Sequence, residues 1–326
     1  MDKNQISLDE KYMRRCLQLA AGGRQSARPN PMVGAVLVVP SCDGSSAVDG
    51  RIIGEGYHVR CGEGHAEVNA FASVGSADEA LLADATLYVS LEPCSHYGKT
   101  PPCADLIIRK GVRRVVVGCI DDFSEVQGRG VAKLRQAGID VTVGVLEQEC
   151  RWLNRRFFTF HSMHRPYIIL KWAQTANGFI DDHWRAMQVS TPFTRMLSHK
   201  LRAEEDAILV GHVTEVRERP QLTVRHWYGH DPQRVVLTHD RPLPQLMTDL
   251  YHHGIQSLIV EGGRQTLESF IGAGLCDEIR VETNHALTVG DGTRAPQLPT
   301  DVRVLSHQQY GDNSIVRYGY FMLKST

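Results

Sequence analysis

The 326-residue sequence lacks an excess of either charge. Its 36 lysines and arginines face 37 aspartates and glutamates, a formal net charge of −1. A constitutive nucleic-acid binder usually shows a basic excess or stripe, so no nucleic-acid partner is expected. Long apolar runs are missing too. The stretch 33–39, among the longest, is far short of the about 20 residues that span a bilayer, so no membrane partner is expected. The opening Met1-Asp2-Lys3-Asn4-Gln5 leads into a polar segment with no apolar leader, which predicts no secretory signal and a cytoplasmic location. No sequence repeat relates the two halves. The eight cysteines stand scattered at 16, 42, 61, 94, 103, 119, 150 and 276. In a chain of this length they do not make a disulfide scaffold, and they suit a reducing compartment with a few metal-binding thiols. Cys16 and Cys119 fall in apolar patterns and read as core residues.

What remains is ordinary for a soluble globular protein, 42% hydrophobic and 22% charged. The length suits two domains. Ser7-Leu8-Asp9-Glu10 has capping-box spacing before apolar positions at helical intervals, ended by Gly22-Gly23. Pro29-Asn30-Pro31 reads as a stiff extended loop, because proline fixes its own φ and restricts the residue before it. Strands are predicted over 35–39 and 51–57, joined by a long polar turn at 41–50. Helix 65–73, strand 85–91, helix 103–110, strand 112–120, helix 129–137 and strand 139–146 follow. This alternation predicts an α/β layer architecture ending near residue 146. The stretch 147–160 has helical spacing and reads as a bridge between domains. Beyond it, strands are predicted at 167–173, 207–211, 234–238, 257–260, 278–282 and 314–323. Helices are expected around 195–203, 246–253 and 265–273.

The chemistry concentrates in His65-Ala66-Glu67, Glu92-Pro93-Cys94 and Pro101-Pro102-Cys103. One imidazole and two thiolates can hold zinc and leave the fourth tetrahedral position open, as a catalytic site requires. Cys103 opens a predicted helix, where thiolates are favoured. Histidine, glutamate and two cysteines are the set used by zinc deaminases of nucleobases, with the glutamate carrying protons and not binding the metal. Glu67 is therefore the candidate catalytic residue, and His65, Cys94 and Cys103 are the candidate zinc ligands. A structural zinc would need a fourth protein ligand, for which His58, Cys61 and His96 are candidates.

Eight residues separate the two cysteines, where common nucleoside deaminases have two. The segments Asn30-Pro31-Met32-Val33-Gly34, Gly54-Glu55-Gly56-Tyr57-His58, His65 to Ala70 and Glu92 to Cys103 closely resemble the bifunctional deaminase/reductase family of riboflavin biosynthesis. The resemblance implies a cytidine-deaminase-like three-layer N-terminal domain over 1–146, a linker helix at 147–165, and a dihydrofolate-reductase-like α/β C-terminal domain over 166–326. It implies zinc-dependent deamination of a phosphorylated pyrimidine, 2,5-diamino-6-ribosylamino-4(3H)-pyrimidinone 5′-phosphate. By position in the motifs, Asn30 and His58 would line the substrate pocket and Lys99 would face the phosphate, a role its compact charge suits.

The second half resembles the family's reductase domain in Tyr167 to Ala173, Leu201 to Gly211, Pro220 to Arg225 and Val260-Glu261-Gly262-Gly263. That implies NADPH-dependent reduction of the ribosyl group to ribityl. Ala173, Thr214, Glu218, Gly262 and Gly263 would touch the cofactor. Arg202, Leu222, Arg225 and Glu261 would touch the substrate, the two arginines through phosphate, and Lys171 would donate a proton or orient the sugar. A homo-oligomer is compatible with this family. The chain departs from the pattern at Asn177, at Arg219 before Pro220, near Gln188, where an aromatic residue is usual, and in a connection shortened near 238–246. These departures support an alternative in which the second half has lost reduction and serves binding or dimerisation.

Overall fold

The structure, a computed structural model, describes residues 3–40, 50–96, 101–121 and 127–320. Lys99 and most of the 41–50 turn lie outside the described residues. The chain divides into two compact units, 1–162 and 163–326.

The first unit is a five-stranded sheet in the order β2-β1-β3-β4-β5. Strand β1 (Gly34–Val39) pairs antiparallel with β2 (Arg51–Tyr57) and β3 (Thr86–Leu91). Strands β3, β4 (Arg114–Cys119) and β5 (Asp140–Val143) run parallel. The central strands are apolar almost throughout because both faces are covered. Alternation sends Ala35, Leu37, Leu87, Val89, Val115 and Val117 to one core, and Val36, Val38, Tyr88 and Val116 to the other. Helices α2 (Ala66–Ala72), α3 (Cys103–Lys110) and α4 (Arg129–Gln136) pack on the first face, through residues such as Ala70, Ile107 and Leu134. Helix α1 (Lys3–Ala20) covers the second face through Tyr12, Met13 and Cys16. These are the three layers the motifs predict.

Two local readings are corrected. Ser7 is not an N-cap: α1 already runs through it from Lys3, and Gln5 donates to Asp9 one turn on (2.9 Å). The 147–160 stretch is not one bridging helix. It breaks at Asn154 into α5 (Glu147–Leu153) and α6 (Arg155–Met163), and Cys150 and Phe158 bury in the first unit's core.

The second unit is a seven-stranded sheet in the order β11-β12-β10-β6-β9-β7-β8. Strands β6 (Tyr167–Thr175), β7 (Ala207–Gly211), β8 (Gln233–Leu237), β9 (Ser257–Val260) and β10 (Glu278–Asn284) are parallel to their neighbours among themselves. Strands β11 (Val302–Tyr310) and β12 (Asn313–Tyr320) add an antiparallel edge. Both faces are again covered. Ile168, Leu170, Leu209, Leu258 and Val260 meet helices α9 (Leu243–His252) and α10 (Arg264–Gly272). Tyr167, Ile169, Ile208, Val210 and Ile259 form the opposite core with Leu201 of α7 (Pro192–Glu204). A short α8 (His212–Glu218) follows β7. Helix α8 and strand β11 were not foreseen. The first is seven residues long, and the second alternates poorly, as Val302-Arg303-Val304-Leu305-Ser306-His307 shows.

No strand lies between β8 and β9, so β8 closes the sheet as an edge. The core is not opened by this. Leu246 and Met247 of α9 bury in the same cluster as Val235 of β8.

Candidate active sites

The first site lies where β3 ends, between the N-termini of α2 and α3. His65 caps α2 with extended backbone (φ −69°, ψ 168°), and Cys103 is the first residue of α3. Nδ1 of His65 lies 3.6 Å from Sγ of Cys94 and 3.4 Å from Sγ of Cys103, and the three ligand atoms all fall within 4.8 Å of one another. Zinc bonds of about 2.3 Å to sulfur and about 2.0 Å to nitrogen, set tetrahedrally, require nitrogen–sulfur separations of about 3.6 Å. The cluster therefore fits zinc. Among the described residues no fourth histidine, cysteine or carboxylate joins it, which suits a site with one open position. His96 and Cys61 are exposed. His58 uses both ring nitrogens elsewhere, as described below.

Protons in the cluster are arranged for a metal. A hydrogen bond from the Cys103 thiol, the His65 ring and the Cys103 amide (3.2 Å) pull the Cys94 thiol well below its ordinary value. The same sharing of one proton pushes Cys103 up. Glu67 stands in the first turn of α2, 3% exposed. Burial, with the Cys94 charge added, pushes its carboxyl up to about 7; a dication in the cluster would draw it back down.

The surrounding chain fixes this geometry. Glu92, two residues before Cys94, is buried and accepts four backbone N–H bonds: from Asp121 (3.3 Å), Gly128 (2.9 Å), Gly130 (2.8 Å) and Val131 (3.2 Å). It ties the cysteine loop to the N-terminus of α4, where a carboxylate is favoured. Residue 130 must be glycine, since a Cβ there would stand 2.0 Å from the Pro93 carbonyl oxygen. The motif quoted from the sequence contains Glu92, but nothing in the sequence reveals that role.

Asn30 and His58 do come together beside the cluster. Nδ2 of Asn30 is 3.1 Å from Nε2 of His58, and Nδ1 of His58 is 3.1 Å from the Gly64 carbonyl. The carbonyl can only accept, so Nδ1 carries the proton and Nε2 receives the amide. Burial lowers the affinity of His58 for a second proton, consistent with this neutral form. Its ring stands edge-on to that of His65, centroids 5.4 Å apart. The Asn30 loop is held from outside by Asn154, which accepts from the Met32 N–H and donates to the Met32 carbonyl, both at 2.8 Å. Sequence reasoning missed Asn154, which lies 122 residues from its partner.

The second site is a cleft of about 1140 Å³ at the C-terminal ends of β6, β7, β8 and β9. That is where parallel sheets bind ligands. Nine of the ten expected reductase residues line it: Lys171, Ala173, Arg202, Thr214, Glu218, Arg225, Glu261, Gly262 and Gly263. Leu222 does not. It is 6% exposed, has a left-handed backbone (φ 55°), and packs with Tyr167 and Leu201.

Glu261 organises the cleft floor. Arg202 grips it with Nη2 at 2.7 Å and Nε at 3.3 Å, and Lys171 Nζ stands at 3.9 Å. Burial opposes its charge, but Lys171 and Arg202 overcome that and hold the carboxyl at about 2. Opposite, the loops after β7 and β9 close on Thr266. A Cβ at Gly211 would meet Thr266 Oγ1 at 2.3 Å, and one at Gly262 would meet Thr266 Cβ at 2.6 Å. These glycines keep a wall of bare backbone at the start of α10, a place suited to cofactor phosphate. The cleft exceeds the about 300–1,000 Å³ of a drug-sized ligand, leaving room for a dinucleotide beside a second molecule. The residues present fit NADPH.

The departures noted in the sequence do not dismantle this cleft. Asn177 accepts from Thr175 Oγ1 (2.8 Å) and donates to the Val289 carbonyl (2.7 Å), a bond that aspartate could not make. Arg219 is exposed, ends α8 in a left-handed conformation (φ 43°), and does not line the cleft. The short connection after β8 still supplies Thr238, His239, Arg241 and Leu243 to the wall.

A His-Cys-Cys cluster beside a buried glutamate, in one chain with a glycine-walled cleft over a parallel sheet, defines the class: a zinc deaminase joined to a nucleotide-dependent reductase. Comparison with known proteins agrees. The family model for the cytidine and deoxycytidylate deaminase zinc-binding region matches residues 6–119, and that for the RibD C-terminal domain matches 166–247 and 241–316. A riboflavin biosynthesis protein RibD from Aquifex aeolicus is 35% identical over 364 aligned positions, covering 95% of this chain and 98% of that protein. One from Bacillus amyloliquefaciens is 33% identical, covering 89% and 88%. The solved structure of a diaminohydroxyphosphoribosylaminopyrimidine deaminase/5-amino-6-(5-phosphoribosylamino)uracil reductase from Thermotoga maritima is 32% identical, with a TM-score of 0.86 over 97% of this chain and 99% of that one. The chain belongs to the RibD family of riboflavin biosynthesis proteins. It is a bifunctional deaminase and reductase with the expected cytidine-deaminase-like and reductase folds, and its cofactors are zinc and NADPH. It acts on a phosphorylated pyrimidine. A second half reduced to a binding module is disfavoured. No described helix is long and apolar enough to cross a membrane.

Proposed function

We propose that residues 1–146 deaminate 2,5-diamino-6-ribosylamino-4(3H)-pyrimidinone 5′-phosphate, and that residues 166–326 then reduce its ribosyl group to ribityl, in the cytoplasm, with 147–165 linking the two. The observation that carries this reading is the clustering of His65, Cys94 and Cys103 within 4.8 Å beside buried Glu67.

His65, Cys94 and Cys103 would hold zinc, which when bound supplies the Lewis acidity that makes water nucleophilic near neutral pH. Glu67 takes a proton from the attacking water and delivers protons to a ring nitrogen and to the departing ammonia. Asn30, fixed by His58, presents its remaining amide oxygen to the substrate. The neutral ring of His58 orients Asn30 and excludes water on that side. Lys99 is assigned to the substrate phosphate from its motif position.

In the cleft, Ala173, Thr214, Glu218, Gly262 and Gly263 would hold NADPH, which supplies hydride when bound. Arg225 takes the substrate phosphate. Glu261 holds Arg202 and Lys171 in place, and Lys171 orients or protonates the opened sugar. Leu222 supports the floor from beneath.

The test is a coupled assay on the diaminopyrimidinone phosphate with and without NADPH, products being identified by mass. Without NADPH, the deaminated ribosyl compound and one ammonia should accumulate; with it, the ribityl compound should appear. Ammonia release without any NADPH-dependent product would sink the reductase half of the reading.

A further inference from the structure

One histidine in the cleft has a role that the reaction outlined above leaves open. His199 lies on α7, one turn before Arg202, and lines the cleft while being only 1% exposed. Its Nδ1 is buried with no hydrogen-bond partner among the described residues. The ring of His226 stands edge-on to that of His199, centroids 4.7 Å apart at 85°. Burial, with Arg202 and Arg225 nearby, pushes the pKa of His199 down to about 4, so the ring stays neutral at physiological pH. A buried ring nitrogen without a partner is costly, and such groups usually await a water or a ligand.

A neutral ring nitrogen donates or accepts according to its tautomer, and a hydroxyl serves it either way. The sugar of the substrate is rich in hydroxyls and must lie near this end if Arg225 takes the phosphate. We propose that Nδ1 of His199 hydrogen-bonds a hydroxyl of the substrate's ribosyl chain, making His199 a substrate-binding residue that selects a hydroxylated sugar over a deoxygenated one. This rests on the reading of the cleft as the reductase site.

The test uses the full chain with NADP+ bound and measures calorimetrically the affinity of the deaminated ribosylamino-pyrimidine phosphate, so turnover is not needed. His199→Phe should weaken binding about tenfold, the effect of one lost hydrogen bond in a closed site. His199→Asn keeps a hydrogen-bonding amide in place of the ring and should restore affinity to within about threefold. Both variants remove the imidazole, so the comparison isolates the polar contact. Analogues lacking one sugar hydroxyl should bind wild-type protein weakly at one position, and His199→Phe should abolish that difference. Equal weakening in His199→Phe and His199→Asn, or an unchanged deoxy penalty in His199→Phe, would overturn the proposal and leave His199 a structural residue. The underlying reading has its own marker. Arg225→Ala should weaken the phosphorylated compound and spare the dephosphorylated one; if it does not, the phosphate end is misplaced whatever His199 does.

Discussion

The amide of Asn30 donates to Nε2 of His58 across 3.1 Å, and this bond decides which way the rest of the asparagine faces. With its nitrogen committed to the ring, the carbonyl oxygen is the end assigned to the substrate in the function proposed above. His58 in turn is held by the Gly64 carbonyl, one residue before His65, the candidate zinc ligand. His58→Ala should therefore lower kcat/KM for ammonia release about tenfold, with zinc content unchanged. Metal loss in that variant would instead make His58 a zinc ligand. Zinc by metal analysis and ammonia by a coupled assay distinguish the two.

Much of the first site was legible because its chemistry is local. His65 and Glu67 share one helical turn, and Cys94 and Cys103 each stand at the end of an apolar strand or the start of a helix. Strand and helix boundaries there follow from apolar runs and from prolines. The supports were not legible. Asn154 reaches Met32, and Glu92 reaches the start of α4, through contacts that leave no periodicity in the chain. Leu222 is expected at the substrate from its place in a motif, yet its apolar side chain is buried in the core cluster with Tyr167 and Leu201. The shortened connection after β8 was visible, but its consequence was not. A sequence cannot show that α9 packs its apolar side into the same core as β8.

A buried ion pair anchors α1. Arg114 binds Asp9 with two bonds, 2.8 and 2.7 Å, and the Tyr88 hydroxyl adds a third at 3.0 Å. Burial alone would raise the Asp9 carboxyl; Arg114 outweighs it and holds it below the usual carboxylate range. A carboxylate whose folded pKa is depressed contributes stability above its unfolded value, about 3.9, and loses it as pH falls through the folded value. Asp9→Asn should cost about 3 kcal/mol at pH 7, since Arg114 is left without its charge partner. The gap to wild type should shrink as pH drops below about 4. Urea unfolding of the first unit at pH 7 and pH 3 reads both effects, and a gap of equal size at the two values would refute the assignment.

Among the described residues Glu261 is the carboxylate that Arg202 and Lys171 share, so its charge sets the position of both cations. Glu261→Gln keeps the shape and removes the charge. Charge-assisted bonds exceed neutral ones about twofold in strength. NADPH oxidation should fall about tenfold or more in kcat/KM as the cations turn away. Cofactor affinity, read by the fluorescence of bound NADPH, should change less than about threefold, because the function proposed above assigns the cofactor to the backbone at Gly262 and Gly263. Loss of cofactor affinity equal to the loss of turnover would place Glu261 in the cofactor site and not against the sugar.

The candidate zinc ligands all lie in residues 1–162 and every residue lining the second cleft lies in 163–326, so the two activities should be separable by metal. Chelation should abolish ammonia release and leave NADPH oxidation intact when the deaminated compound is supplied directly. Glu67→Gln should also lose ammonia release, by about 10²–10⁴-fold as expected for a missing proton carrier, yet retain zinc and the second activity. The pair of results matters more than either alone. Loss on chelation shows only that the metal is needed for activity or for folding. Loss in Glu67→Gln with zinc bound and reduction intact assigns proton transfer to that one side chain. If the variant lost zinc as well, Glu67 would be holding the cluster together, and the proton carrier would have to be sought elsewhere in the pocket.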